Sequence, residues 1–154
     1  MNATDPVAEF KEGLRFLRNN YAKKAMVHFT RAAELDKTNP FYLSYVGLTL
    51  AAAERNWDEA EEICQRAVKM RRTQAELYLN LAEVFRLAGR RDEAVETLVL
   101  GRQMTKKDPR ILAALRKYGI RRPPVLSFLD RQNVLNVKLG KARYRILKSM
   151  AKEL

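Results

Sequence analysis

Apolar and small residues in this chain recur at intervals of four and three, the period that stacks side chains on one face of an α-helix. Ala25, Phe29 and Ala32 keep this interval; Ala60, Cys64 and Ala67 repeat it, as do Ala94, Leu98 and Gly101. Leu35, Met70 and Met104 each stand three residues further on and extend the same face. The small members of each triplet let another helix approach closely. Three more small residues, Gly13, Gly47 and Ala82, precede the first alanine of each triplet by 12, 13 and 12 residues, which puts the extra residue of the middle unit in a turn around Glu54 to Asn56. No stretch alternates apolar and polar as a strand would.

Helix starts mark the same units. In Asp5-Pro6, Asn39-Pro40 and Asp108-Pro109 the first side chain can accept an orphan backbone N–H, and proline fits the first helical position because it has no N–H to leave unpaired. Pro6 to Pro40 is 34 residues, and Pro40 to Pro109 is 69, which divides into 35 and 34 if a unit begins near Ala75. The pattern predicts helical pairs over 6–19 and 22–36, 40–54 and 57–71, 75–88 and 91–105. A seventh helix over 109–118 has Leu112 and Leu115 at its core positions and stops at Gly119, a left-handed cap.

These landmarks resemble the tetratricopeptide repeat, a helix–turn–helix unit of about 34 residues. Tyr78, Leu81, Ala82, Phe85, Gly89, Ala94 and Leu98 occupy its signature positions in the third unit, and Leu43, Val46, Gly47, Leu50, Trp57, Ala60 and Ala67 in the second. The first unit is looser. Glu9 and Glu12 stand where large apolar residues are usual, which suits an outer face without a neighbour, and Tyr21 comes one place before the aromatic position held by Ala22. The resemblance implies an all-α, right-handed superhelix of three hairpins over residues 1–118 (repeats about 6–39, 40–74 and 75–108, then a half-repeat over 109–118), followed by C-terminal capping helices.

The resemblance also implies a groove lined by the first helix of each unit. Its positions here are Val7, Phe10, Leu14, Leu17 and Arg18; Phe41, Ser44, Leu48, Ala51 and Ala52; and Glu76, Leu79, Glu83, Arg86 and Leu87. Some of these could instead pack against a neighbouring helix. Chaperone-binding members of the family hold a peptide's terminal carboxylate with lysine, asparagine and arginine. The corresponding places hold Phe10, Leu14, Tyr45, Glu76 and Asn80, where the Asn80 amide is the single donor suited to a carboxylate and no cation is present. That disfavours a receptor for chaperone tails. Small three-repeat secretion chaperones have a similar length but do not resemble this chain in its basic ending.

Residues 119–154 break the repeat. Arg122-Pro123-Pro124 forces extended backbone, and Val125, Leu126, Phe128 and Leu129 form an apolar cluster expected to dock on the repeats. Asp130 then reads as the cap of an amphipathic helix, with Leu135, Leu139, Ala142, Ile146, Met150 and Leu154 on its apolar stripe. The net charge of +12 is concentrated here: from Arg110 onward twelve Lys and Arg face Asp130 and Glu153, leaving +2 on the residues before. Arg121, Arg122, Lys138, Lys141, Arg143, Arg145 and Lys148 form a candidate basic contact surface for an acidic protein or anionic lipid. Nucleic acid ranks behind these, because Tyr144 is the one aromatic near the cationic helix and base stacking is poorly served.

Candidate chemistry is sparse. His28 is the sole histidine and Cys64 the sole cysteine, and Cys64 occupies a large-apolar helix position. No glycine-rich phosphate loop or metal-ligand spacing is present, and Asp58-Glu59 and Asp92-Glu93 begin helices, where their charge suits the dipole. One cysteine excludes an internal disulfide, and "MNATDPVAEF" has no secretory character. The expectation is a cytoplasmic, non-catalytic adaptor without cofactor. It binds a peptide or helix of another protein in its groove and carries a basic second surface; the alternative is a peripheral membrane or nucleic-acid binder that displays the tail.

Overall fold

A computed structural model describes residues 5–118 together with Val134, Lys138, Leu139 and Ala142. Residues 5–118 hold seven helices: α1 (Pro6–Arg18), α2 (Ala22–Leu35), α3 (Pro40–Glu54), α4 (Trp57–Met70), α5 (Ala75–Leu87), α6 (Arg91–Met104) and α7 (Pro109–Tyr118). Each boundary lies within one residue of the sequence expectation. The reason is local chemistry. Asp5 Oδ1 accepts from Val7 N–H at 3.0 Å, Asn39 Oδ1 from Phe41 N–H at 3.0 Å, and Asp108 Oδ1 from Arg110 N–H at 2.9 Å. All three Asx-Pro pairs are working N-caps. The extra residue of the middle unit falls at the α3–α4 junction: α3 runs on to Glu54 and the turn shrinks to Arg55 and Asn56, with Arg55 left-handed at φ 58.

Helices pack in sequential hairpins, α1 on α2, α3 on α4 and α5 on α6, with α2 against α3 and α4 against α5 joining them. The triplets form the seams. Ala25, Phe29, Ala32, Ala60, Cys64, Ala67 and Ala94 are fully buried, and Leu98 is 1% exposed. A Cβ added at Gly47 would lie 2.6 Å from Cys64 Sγ and 2.8 Å from the Ala60 carbonyl oxygen, so the approach of α3 to α4 requires glycine there. Gly101 is equally confined, against Tyr78 and Ile111.

Three sequence expectations are corrected. Leu35, Met70 and Met104 are 50%, 45% and 41% exposed. Two successive steps of three residues each rotate about 60° short of a full turn, so the last member of each row swings off the buried face. In α7 the core pair is Ile111 and Leu115, whose spacing of four keeps them aligned, while Leu112 is half-buried. Glu9 does not sit on an uncovered face. It is 7% exposed, and its Oε2 lies 2.7 Å from His28 Nδ1, with the imidazole stacked on Phe16 at 5.2 Å.

The chain divides into two compact units, residues 1–119 and 120–154. In the second, Val134, Lys138, Leu139 and Ala142 are helical. Lys138 is exposed as expected, Leu139 is half-buried, and Ala142, placed on the apolar stripe, is exposed. Arg121, Arg122, Lys141, Arg143, Arg145, Lys148 and the Val125–Leu129 cluster lie outside the described residues. Among the described residues no helix is long and apolar enough to cross a membrane.

Candidate peptide-binding surface

The first helices α1, α3 and α5 carry the predicted groove positions, α7 continues their row, and the two ends of that face differ. At the N-terminal end the side chains fill the space themselves. Phe10 packs on Phe29 at 5.4 Å, on Tyr42 at 5.0 Å and on Tyr45 at 5.2 Å between ring centroids. Leu14, Leu17 and Phe41 are half-buried around this cluster, whereas Val7, Arg18 and Ala52 are exposed. Ser44, Leu48 and Ala51 are buried at 0%, 9% and 1% exposure and do not form an open surface. α5 packs across that side of α3, and the Asn80 amide donates to Ser44 Oγ at 2.9 Å.

A polar chain closes the middle of the face. Tyr45 O–H donates to Glu76 Oε1 at 2.6 Å, and Arg110 Nη1 donates to Glu76 Oε2 at 2.9 Å, linking α3, α5 and α7. Burial and the Glu76 carboxylate hold the Tyr45 phenol above the usual tyrosine range. The clamp-equivalent places are therefore occupied by the protein's own contacts: Asn80 is 5% exposed and committed to Ser44, and Glu76 would repel a carboxylate.

The C-terminal end is open. Leu79, Glu83 and Arg86, all expected from the sequence, line a cavity of about 690 Å³ with Ala82, Ala114 and Tyr118. Arg91 and Lys117 stand on its rim. Glu83 is neutralised by a bidentate contact from Arg86 at 2.6 and 2.7 Å. Arg91 donates to the Tyr118 carbonyl and lies over its ring, 5.8 Å from the centroid. Arg91, Lys117 and Tyr118 were absent from the sequence expectation. A signal existed for Lys117, which holds in a fourth unit the position of Glu83 in the third. Arg91 opens a second helix and reaches the cavity only through folding.

Cys64 is buried, its thiol pushed up to about 12 by desolvation, which suits a packing residue and not a nucleophile. Among the described residues no three His, Cys, Asp or Glu side chains are grouped so as to hold a metal ion.

Comparison with known proteins agrees with this architecture. Residues 51–118 match the family described as "Tetratricopeptide repeat". No curated protein matches the chain. Among solved structures it is similar to the first TPR domain of Spaghetti (RPAP3), bound there to the HSP90 peptide SRMEEVD, at 15% identity and a TM-score of 0.61, covering 77% of this chain and 95% of that one. The first TPR domain of human RPAP3 is similar at 16% identity and a TM-score of 0.61, over 73% of this chain and 88% of that one. The second TPR domain of human RPAP3, in complex with the HSP70 peptide SGPTIEEVD, gives 16% identity and a TM-score of 0.58, over 73% and 93%. At these identities the likeness establishes the fold. Residues 5–118 have an all-α helical-repeat fold, and within them residues 51–118 carry the match to the tetratricopeptide repeat.

Proposed function

We propose that the chain is a non-catalytic adaptor that holds an acidic, partly apolar peptide or helical segment of another protein at the C-terminal end of its first-helix face. The observation that carries this reading is the cavity beside α5 and α7. Leu79, Ala82, Ala114 and Tyr118 offer apolar contact, and Arg86, Arg91 and Lys117 outnumber the single acid, Glu83. Apolar anchoring supplies affinity, and the cationic rim selects charge and speeds encounter. The filled N-terminal end and the self-satisfied Tyr45–Glu76–Arg110 chain argue against a carboxylate clamp of the kind that grips a chain terminus. The basic residues of 119–154 form a second contact surface for an acidic region of the same partner or an anionic lipid surface.

Selection of a random peptide library on the full chain tests the reading. Selected peptides should combine aspartate or glutamate with one or two large apolar residues, and Arg86→Glu or Leu79→Glu should weaken them at least about tenfold. Peptides that bind both variants as well as the parent would refute the site. Binding to anionic vesicles that vanishes at high salt, with no peptide selected, would favour the tail as the functional element.

A further inference from the structure

The second helices carry a separate surface, unconnected with the first-helix groove. Between α4 and α6 a cleft of about 660 Å³ opens over α5, with Tyr78, Leu81 and Phe85 as its floor. Val68 forms part of one wall, and Leu100 and Met104 form the other. Leu100 is 44% exposed and Met104 41%, with Val99 beside them at 36%. The comparable cleft between the first and second hairpins is smaller, about 280 Å³, with Asp36, Lys37, Asn39 and Arg66 among its lining residues.

The repeat register shows which residues make the difference. Leu100 follows Leu98 by two positions; the same place after Cys64 holds Arg66, and after Phe29 it holds Arg31. Val99 likewise stands where the earlier units have Gln65 and Thr30. The exposed position held by arginine in the two earlier units has therefore become leucine in the third, and a half-buried polar position beside it has become valine. Exposed apolar side chains grouped around a cleft mark an interaction surface when nothing in the fold requires them to be apolar.

The charges around the cleft indicate what covers it. Lys69 and Arg72 flank the end where α4 finishes, and Glu96 lies on the α6 wall. Among the described residues none of these three takes part in an ion pair, whereas Glu93 is held by Arg90. The surface is therefore cationic at one end, apolar through Leu100 and Met104, and acidic on the α6 side. A surface with this sequence of properties is complementary to itself turned by a two-fold rotation.

We propose that the α4–α6 cleft is a homodimer interface. Leu100 and Met104 of one copy meet those of a second, and Lys69 and Arg72 of each copy face Glu96 of the other. The apolar area is small, so the dimer belongs to the weak class and should appear between about 1 μM and about 1 mM protein.

Sedimentation velocity on the full chain across that range tests the proposal. The parent should pass from monomer to dimer. Leu100→Arg, which installs the residue found at the equivalent place in both earlier units, should keep the helical circular dichroism and melting temperature while raising the dissociation constant at least about tenfold. Lys69→Glu with Arg72→Glu should weaken association, and adding Glu96→Lys should restore it, because the pairs re-form with opposite sign. A parent that stays monomeric throughout would overturn the proposal and leave the cleft to a different protein. A dimer indifferent to Leu100→Arg and to the charge reversal would overturn it by locating self-association elsewhere.

Discussion

The two ends of the first-helix face share one backbone plan and differ in use. At the N-terminal end Phe29, Tyr42 and Tyr45 converge on Phe10, and the volume a ligand would enter is occupied by rings. At the C-terminal end Leu79, Ala82 and Ala114 leave about 690 Å³ open, bordered by cations. Helix positions are the same in both, so the size of the side chains and the presence of a neighbouring helix over them decide between core and binding surface. A repeat fold can thus convert part of its own groove into core without altering its connections.

The sharpest way to break this comparison is to truncate an anchor at each end. Phe29 is fully buried, so Phe29→Ala should destabilise the fold by about 3–5 kcal/mol in urea or thermal unfolding. Leu79 is half-buried in an open cavity, so Leu79→Ala should cost about 1 kcal/mol while weakening a selected peptide. Equal stability losses would show that the C-terminal end is core as well.

Overpacking tests whether the scaffold beneath the two ends is the same. Ala60→Leu, Ala94→Leu and Gly47→Ala each force atoms into a closed helix seam and should destabilise by about 1–3 kcal/mol. A melting temperature unchanged in all three would mean that the repeat register is wrong.

Smaller effects come from the bridge between the ends. Tyr45→Phe removes the bond to Glu76 and should cost about 1 kcal/mol. Alkaline titration sharpens this. Burial raises the Tyr45 phenol and the Cys64 thiol in the folded state, so their contributions are complete below the unfolded values and are lost as pH rises through the folded ones. For Cys64 the window runs from near 9 to about 12. Stability should fall across it, and Cys64→Ala should flatten the fall.

The smallest stability change is expected at Arg86. Its pair with Glu83 is solvent-exposed, so Arg86→Ala should alter unfolding by less than about 0.5 kcal/mol while weakening an acidic peptide. A large loss of stability with binding intact would assign Arg86 to the scaffold.

Helix ends were legible because caps are local: Asp5, Asn39 and Asp108 each bond to a backbone N–H two residues on, and such a bond needs no tertiary partner. The seams were legible because repetition exposed them, in the alanines of three successive units. The groove was legible in part. Of the expected groove positions, Leu79, Glu83 and Arg86 line the C-terminal cavity, whereas Ser44, Leu48 and Ala51 share their helix positions and are buried. Periodicity gives the direction of a side chain from its helix axis and not the presence of a neighbour in that direction.

The sequence by itself determined the helices, their pairing and the small-residue seams, since each follows from contacts a few residues apart or from a period repeated along the chain. Only the tertiary structure decided that Glu9 and His28 pair inside the first hairpin, that Tyr45, Glu76 and Arg110 bridge three helices, and that one end of the groove is full and the other open. Those outcomes depend on the distance between side chains about 20 to 35 residues apart, and that distance is set by how closely neighbouring helices pack.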